Sequence, residues 1–245
     1  MGNAKLKSGE YIAVRDGAAL SFGGNQRWLA EGRPEALAKC SCGAVAAADL
    51  FLYLARSRPQ WESPLCAAFA RAEELSKEEY LRYLSEVLAR YARPLPYFGK
   101  TGFGLAQGIN RYFAENRLGL KAKWRQTALD GGALMRIAAQ LADDLPVILS
   151  IPSFPLKIKS LNMYRRSREG RGLTDALRYK NRSGHFVTAC ALEDRVLTVS
   201  SWGKRFYLDC EEYLRAARLP AGLISCGYMT LEERASRTAL IGEGL

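Results

Sequence analysis

Histidine is all but missing. The chain of 245 residues holds one, His185. That excludes a histidine-rich metal centre, and any imidazole acid–base chemistry must run through this residue. Paired cysteine motifs are missing too. The six cysteines stand at 40, 42, 66, 190, 210 and 226, and only Cys40 and Cys42 form a close pair. One CxC without a second pair does not make a structural zinc site, and scattered cysteines do not make a disulfide framework. No metal and no other cofactor is expected. Long apolar runs are lacking. The longest, 44–55, is broken by Asp49 and is too short to cross a bilayer. The first twenty residues, "MGNAKLKSGEYIAVRDGAAL", hold no apolar stretch of signal-peptide length. The expectation is a cytoplasmic protein with reduced thiols and no membrane segment. No internal repeat and no low-complexity tract is present.

Acidic charge is in short supply. Thirty-six basic residues face 25 acidic ones, a formal net charge of +11. Much of the excess is local: between Lys157 and Arg182 nine basic residues are offset only by Glu169 and Asp175. A one-sided block of this kind draws anionic partners or forms a solvated surface. Tyr164 and Tyr179 are interleaved with its arginines, which allows phosphate contacts with stacking. No nucleic-acid module accompanies it, so nucleic acid is not the preferred partner.

With 48% hydrophobic residues the chain can bury a substantial core. The stretch 45–56 is apolar on nearly every side and predicts a central buried helix. "SPLCAAFARAEEL" and "SKEEYLRYLSEVLARYA" each show a cap, early acids and helical periodicity, and Ser76 with Glu79 forms a capping box. Further helices are expected over 105–116 and 131–142. The second half changes period. "LPVILSI", "GHFVTACAL", "RVLTVSS", "KRFYLD" and "LISCGYMTL" read as strands, with "LEDRV" and "SWGK" as tight turns. The order predicts an α+β fold: a helical half over about 25–142, whose buried central helix packs on an antiparallel sheet over about 145–232. The basic block, about 155–183, is expected as a long loop or arm on the sheet edge. The whole of 1–245 is expected to form one domain.

Cys42 falls at the expected start of the buried helix, where free N–H groups and the helix dipole favour a thiolate. His185 opens a strand 143 residues later. A neighbouring imidazole can take a thiol proton and leave a strong nucleophile. Several stretches then resemble the papain-like cysteine peptidase superfamily, in particular its C39-like members. "CGAVAAADLFLYLA" resembles their helix start, "LPVILSI" the strand before the histidine, and "SGHFVTACALEDRVLTVSSWGKRFYLDCEEYL" the histidine strand with its hairpin and following helix. "SSWGK" is similar to the "NSWG" turn of papain. "GGNQRW" and "TGFGLAQGINRYF" resemble segments of an uncharacterised bacterial C39-like branch.

The resemblance implies a papain-like fold and a cysteine-nucleophile hydrolase, a peptidase or amidohydrolase, in which Cys42 attacks and His185 is base and then acid. It makes Cys42 rather than Cys40 the nucleophile, with Gly43 leaving room beside the thiol. It implies a glutamine in the oxyanion site. Ala36, at the usual spacing, cannot serve, so Gln26 is the candidate, with Asn25 behind it. The position that orients the imidazole falls on Ser200, or on Ser201, with Trp202 as its shield. The substrate is expected to be a peptide or amide, possibly acidic. The same constellation serves an acyltransferase or transpeptidase, and a non-catalytic binding protein that uses the basic arm is the contrasting reading.

Other motifs fail. "FGKTG" ends like a phosphate-binding loop, but Pro94 stands where its first glycine belongs. Gly102, Gly104 and Gly108 miss the dinucleotide spacing, and Ser41 lacks the G-x-S-x-G frame. Asp143 and Asp144 read as a solvated turn. Asp49, inside a buried helix, is expected to bond a neighbouring loop, because an unpaired buried carboxylate is expensive.

Overall fold

The computed structural model describes residues 3–9, 11–32, 34–95, 99–151, 161–167, 173–179, 184–218 and 226–234. Along the chain come β1 (Ala4–Lys5), β2 (Ala13–Asp16), β3 (Ala19–Phe22), a 3-10 helix (Gln26–Glu31), α1 (Glu35–Cys40) and α2 (Cys42–Ser57). They are followed by α3 (Pro64–Ala70), β4 (Glu74–Ser76), α4 (Lys77–Arg90), α5 (Gly102–Glu115), β5 (Leu120–Arg125), α6 (Gly131–Ala142) and β6 (Val147–Ile151). The last part holds β7 (Leu161–Ser167), β8 (Leu173–Tyr179), β9 (His185–Glu193), β10 (Val196–Ser201), β11 (Lys204–Asp209), α7 (Cys210–Ala217) and β12 (Gly227–Glu233).

Helix α2 is buried without interruption from Gly43 to Ala55. Its alanines let neighbours approach closely, and its large residues fill the core: Phe51 stacks on Tyr112 with ring centroids 3.6 Å apart. Each such side chain removed from water contributes about 1.5–3 kcal/mol. The apolar cluster built around α2 draws on α4, α5 and α6 and on strands from β2 to β12. Helix α4 starts at the expected capping box, in which Ser76 and Glu79 exchange bonds with each other's backbone N–H.

The main sheet runs β5-β12-β6-β9-β10-β11-β7-β8, with β1 on the far part of β9, and its recorded pairs are antiparallel. The molecule is thus a mixed α and β structure with a large antiparallel sheet. The two tight turns fall as expected. Asp194 and Arg195, and Trp202 and Gly203, all have positive φ, between 46° and 70°. This geometry suits two-residue hairpin loops.

Two expectations are corrected and a third is narrowed. The first half is not simply helical: β2, flanked by β3 and β4, forms a small second sheet, and β5 joins the main one. In "LKAKWR" Leu120 and Ala122 are buried while Lys121 and Lys123 are exposed, the alternation of a half-buried strand. Next, "SPLCAAFARAEEL" is helical only to Ala70. Glu74 to Ser76 instead pairs in parallel with β2 and buries Leu75, so tertiary pairing overrides helix propensity. Finally, the basic block, expected as a loop or an arm on the sheet edge, is an arm of two strands where it is described. β7 and β8 form an edge hairpin, with Leu161 opposite Tyr179 and Ser167 opposite Leu173. Leu161 and Met163 are buried, so an apolar alternation lies beneath the charge. Tyr164 donates its hydroxyl to Glu212 of α7 at 2.5 Å. Lys157, Lys159, Arg168, Arg171, Lys180 and Arg182 lie outside the described residues.

Candidate active site

Cys42 is the first residue of α2. Ser41 breaks the chain between α1 and α2, and its hydroxyl donates to the Leu37 carbonyl at 2.6 Å instead of capping α2. The half-buried Cys42 thiol accepts the Phe186 N–H at 3.5 Å. That contact brings the helix start against β9 one residue after His185, so the thiol and the histidine strand do meet. Gly43 packs closely against the histidine strand. A Cβ on it would lie 3.1 Å from the Phe186 ring, so the glycine makes room for Phe186.

His185 is 3% exposed. Its Nε2 bonds the Ser201 hydroxyl at 2.7 Å, and its ring lies on Trp202 with centroids 4.4 Å apart and planes 15° from parallel. Trp202 holds φ at +49°, a conformation bulky residues seldom adopt. The turn that imposes this conformation also lays the indole on the imidazole. Ser201, not Ser200, is the serine at the histidine. Ser200 donates to the Phe22 carbonyl at 2.7 Å. The register between β9 and β10 slips at this point, Thr198 facing Ala191 but Val199 facing Ala189. A one-residue slip exchanges which side chains share a face.

Gln26 is buried, and its Nε2 donates to the Lys39 carbonyl at 3.1 Å, three residues before the thiol. It lines a cavity of about 10 Å³ together with Cys42, His185, Ser201, Trp202 and Asp49. Asn25 is used elsewhere: its side chain accepts the Arg27 N–H at 3.0 Å and caps the 3-10 helix. Asp49 is 1% exposed and does bond a loop, as expected: it accepts the Gly24 N–H at 3.0 Å and the Tyr80 hydroxyl at 2.5 Å. Asp144, expected in a solvated turn, is buried and accepts the Tyr53 hydroxyl at 2.6 Å.

Burial governs the electrostatics. It pushes the Cys42 thiol up, against the lowering effect of the N–H groups of Phe186, Gly43 and Cys42 itself. The expected depression by the helix start is thus outweighed. Burial lowers His185 to about 3. Both effects favour an uncharged thiol and imidazole at rest over an ion pair. Ser201 fixes the ring without stabilising its charged form, so its loss disturbs orientation more than charge. Replacing Ser201 with alanine is expected to slow any His185-dependent reaction of Cys42 about tenfold, within the range of general acid–base effects. The loss should appear in the rate and not in the fold, as read by circular dichroism.

On the open side of the thiol lies a cleft of about 280 Å³, walled by Trp124, Phe186 and Phe103. Lys39 and Lys100 stand at it, and among the described residues no acidic one lines it. Trp124 meets Phe186 edge-on at 5.8 Å. The sequence reading missed this wall, although Trp124 stands on the alternating "LKAKWR" strand. A larger cavity, about 680 Å³, lies by Tyr53 and Arg56 toward the other end of α2, away from the thiol. Among the described residues, no three His, Cys, Asp or Glu side chains gather as a metal site, and no helix is long and apolar enough to cross a membrane. None of the six cysteines is joined in a disulfide.

No protein family and no curated protein matches this sequence. Among solved structures it is similar to a candidate C39-like peptidase from Bacillus anthracis, at 12% identity and a TM-score of 0.34. The match spans 57% of this chain and 62% of the other, less than two thirds of that protein. This is a distant likeness of fold only.

Proposed function

We propose that this protein is a papain-like thiol acyl-transfer enzyme, hydrolytic toward a peptide or amide, with Cys42 as nucleophile and His185 as base. The observation that carries the reading is the lone histidine, fixed by Ser201 and Trp202, beside the strand N–H that touches the Cys42 thiol. Ser201 takes the place of the amide or carboxylate that papain-like enzymes use. The Ser201 hydroxyl holds the imidazole in place while it exchanges a proton with the thiol.

The uncharged resting pair sets the order of events. The Cys42 Sγ attacks the carbonyl carbon as its proton passes to His185. Negative charge gathers on the carbonyl oxygen, where the Cys42 N–H and the second Nε2 hydrogen of Gln26 donate. His185 then protonates the leaving nitrogen, the C–N bond breaks and a thioester remains. Water, deprotonated by His185, attacks the thioester, the C–S bond breaks to release the acid, and His185 returns the proton to the thiolate. The aromatic wall of the cleft suits an apolar side chain on the acyl group, and Lys39 and Lys100 suit a nearby negative charge.

Mixing the protein with p-nitrophenyl acetate tests this reading. A burst of p-nitrophenolate stoichiometric with protein is expected, followed by slower turnover, and the burst should vanish in Cys42→Ala. A wild type that gives no burst, or a burst that survives in Cys42→Ala, contradicts the proposal.

A further inference from the structure

Helix α2 carries Cys42 in its first turn and Asp49 seven residues later. Seven residues are close to two full turns, so the two stand on one face about 10 Å apart along the axis. The Asp49 carboxylate is where a loop of the site is fastened. It accepts the Gly24 N–H on Oδ2 and the Tyr80 hydroxyl on Oδ1. The loop has no slack there. A Cβ on Gly23 would fall 2.2 Å from the Ser200 Oγ and 2.7 Å from Asp49 Oδ2, and one on Gly24 would fall 1.9 Å from the Tyr80 oxygen. Gln26, whose amide reaches the Lys39 carbonyl, follows two residues after the anchor.

The same loop is tied to the hairpin that holds the histidine. Gly203 N–H donates to the Gly24 carbonyl at 2.9 Å, Phe22 N–H to the Gly203 carbonyl at 2.9 Å, and Ser200 to the Phe22 carbonyl. Asp49 therefore sits where the thiol helix, the Gln26 loop and the Ser201–Trp202 hairpin converge. Among the described residues no cation lies within ion-pair distance of it. Tyr80 of α4, Tyr11 ahead of β2, Cys190 of β9 and, more remotely, Arg56 of its own helix are the titratable groups around it.

Resting on the reading above, we infer that Asp49 is a positioning residue: it fastens the Gly23–Gln26 loop to α2 and so places the Gln26 amide where an oxyanion forms beside Cys42. It touches neither the substrate nor the thiol. Its loss should therefore impair reactions that pass through an oxyanion and spare those that do not.

Two reactions of Cys42 separate these cases. Acetylation by p-nitrophenyl acetate forms a tetrahedral oxyanion. Alkylation by iodoacetamide displaces iodide at a saturated carbon and forms none. Both rates are measured on the full-length wild type, Gln26→Ala, Asp49→Ala and Asp49→Asn. Gln26→Ala and Asp49→Ala should slow acetylation by about tenfold to a hundredfold, up to the loss of one oxyanion donor, while alkylation of Cys42 stays nearly unchanged. Asp49→Asn should keep acetylation close to wild type, because its oxygen still accepts the Gly24 N–H and its amide can turn to the Tyr80 oxygen. Unchanged acetylation in Asp49→Ala overturns the inference, and so does a parallel fall of both reactions. Should Asp49→Ala melt, Tyr80→Phe replaces it: a selective loss of acetylation supports the assignment, and a parallel or absent loss overturns it. A wild type that is not acetylated at all removes the catalytic reading, and this inference with it. A wild type that is acetylated whatever stands at 49 removes this inference alone.

Discussion

His185→Ala is expected to slow acetylation of Cys42 by p-nitrophenyl acetate between about 100- and 10,000-fold, the contribution of a positioned base. The effect should be at the high end, because the thiol has little thiolate of its own to fall back on: burial raises its pKa, and among the described residues no cation bonds it. The same reasoning fixes the pH dependence. A lone thiol held above its ordinary value reacts faster with every unit of rising pH, so the variant should recover part of its rate in alkali. In the wild type the imidazole is unprotonated from about pH 3 upward, so its rate should be nearly level across the neutral range. A variant with the wild-type rate and a wild-type pH profile would show that the imidazole takes no part.

The second large effect concerns stability. Asp49 is held at about 7 against an ordinary value of 3.8, chiefly by burial. The folded protein therefore keeps a proton that the unfolded chain gives up, and stability is lost as pH rises from about 4 to about 7. His185 works in the opposite sense. Its folded value of about 3 lies below the ordinary 6.5, so the unfolded chain binds the extra proton and stability is lost as pH falls from 6.5 toward 3. Each slope is about 1.4 kcal/mol per pH unit. Between pH 4 and 6.5 the two oppose and nearly cancel. Urea titrations across this range should therefore show Asp49→Asn gaining on the wild type by about 3 kcal/mol as pH rises, and His185→Gln losing a similar amount. Parallel curves for all three proteins would mean that neither group is held away from its ordinary value.

Much of the architecture was legible because it rests on local patterns. The unbroken apolar stretch that became α2, the Ser76–Glu79 box that starts α4 and the two tight turns need only short-range information. The site was legible as far as residue type carries it: a thiol at a helix start and a lone histidine at a strand start. What was hidden depends on pairing at a distance. Glu74 to Ser76 looks helical until β2 offers it a partner. The edge hairpin of β7 and β8 lay under a charge count that drew attention away from Leu161 and Met163. Ser200 and Ser201 cannot be told apart by counting, because the slip between β9 and β10 decides which of them faces the histidine. The state of the thiol was hidden for a similar reason. Helix position is written in the sequence, but the burial that outweighs it comes from Phe186 and the strands around it.

The central claim is that Cys42, of six cysteines, is the nucleophile. Brief reaction with p-nitrophenyl acetate, quenching in acid and mapping of the acetyl group by peptide mass spectrometry tests it most directly. The account predicts an acetyl thioester on Cys42 that is absent from the His185→Ala protein at the same time point. An acetyl group found instead on the half-buried Cys40, or spread over surface lysines with equal yield in both proteins, would contradict it.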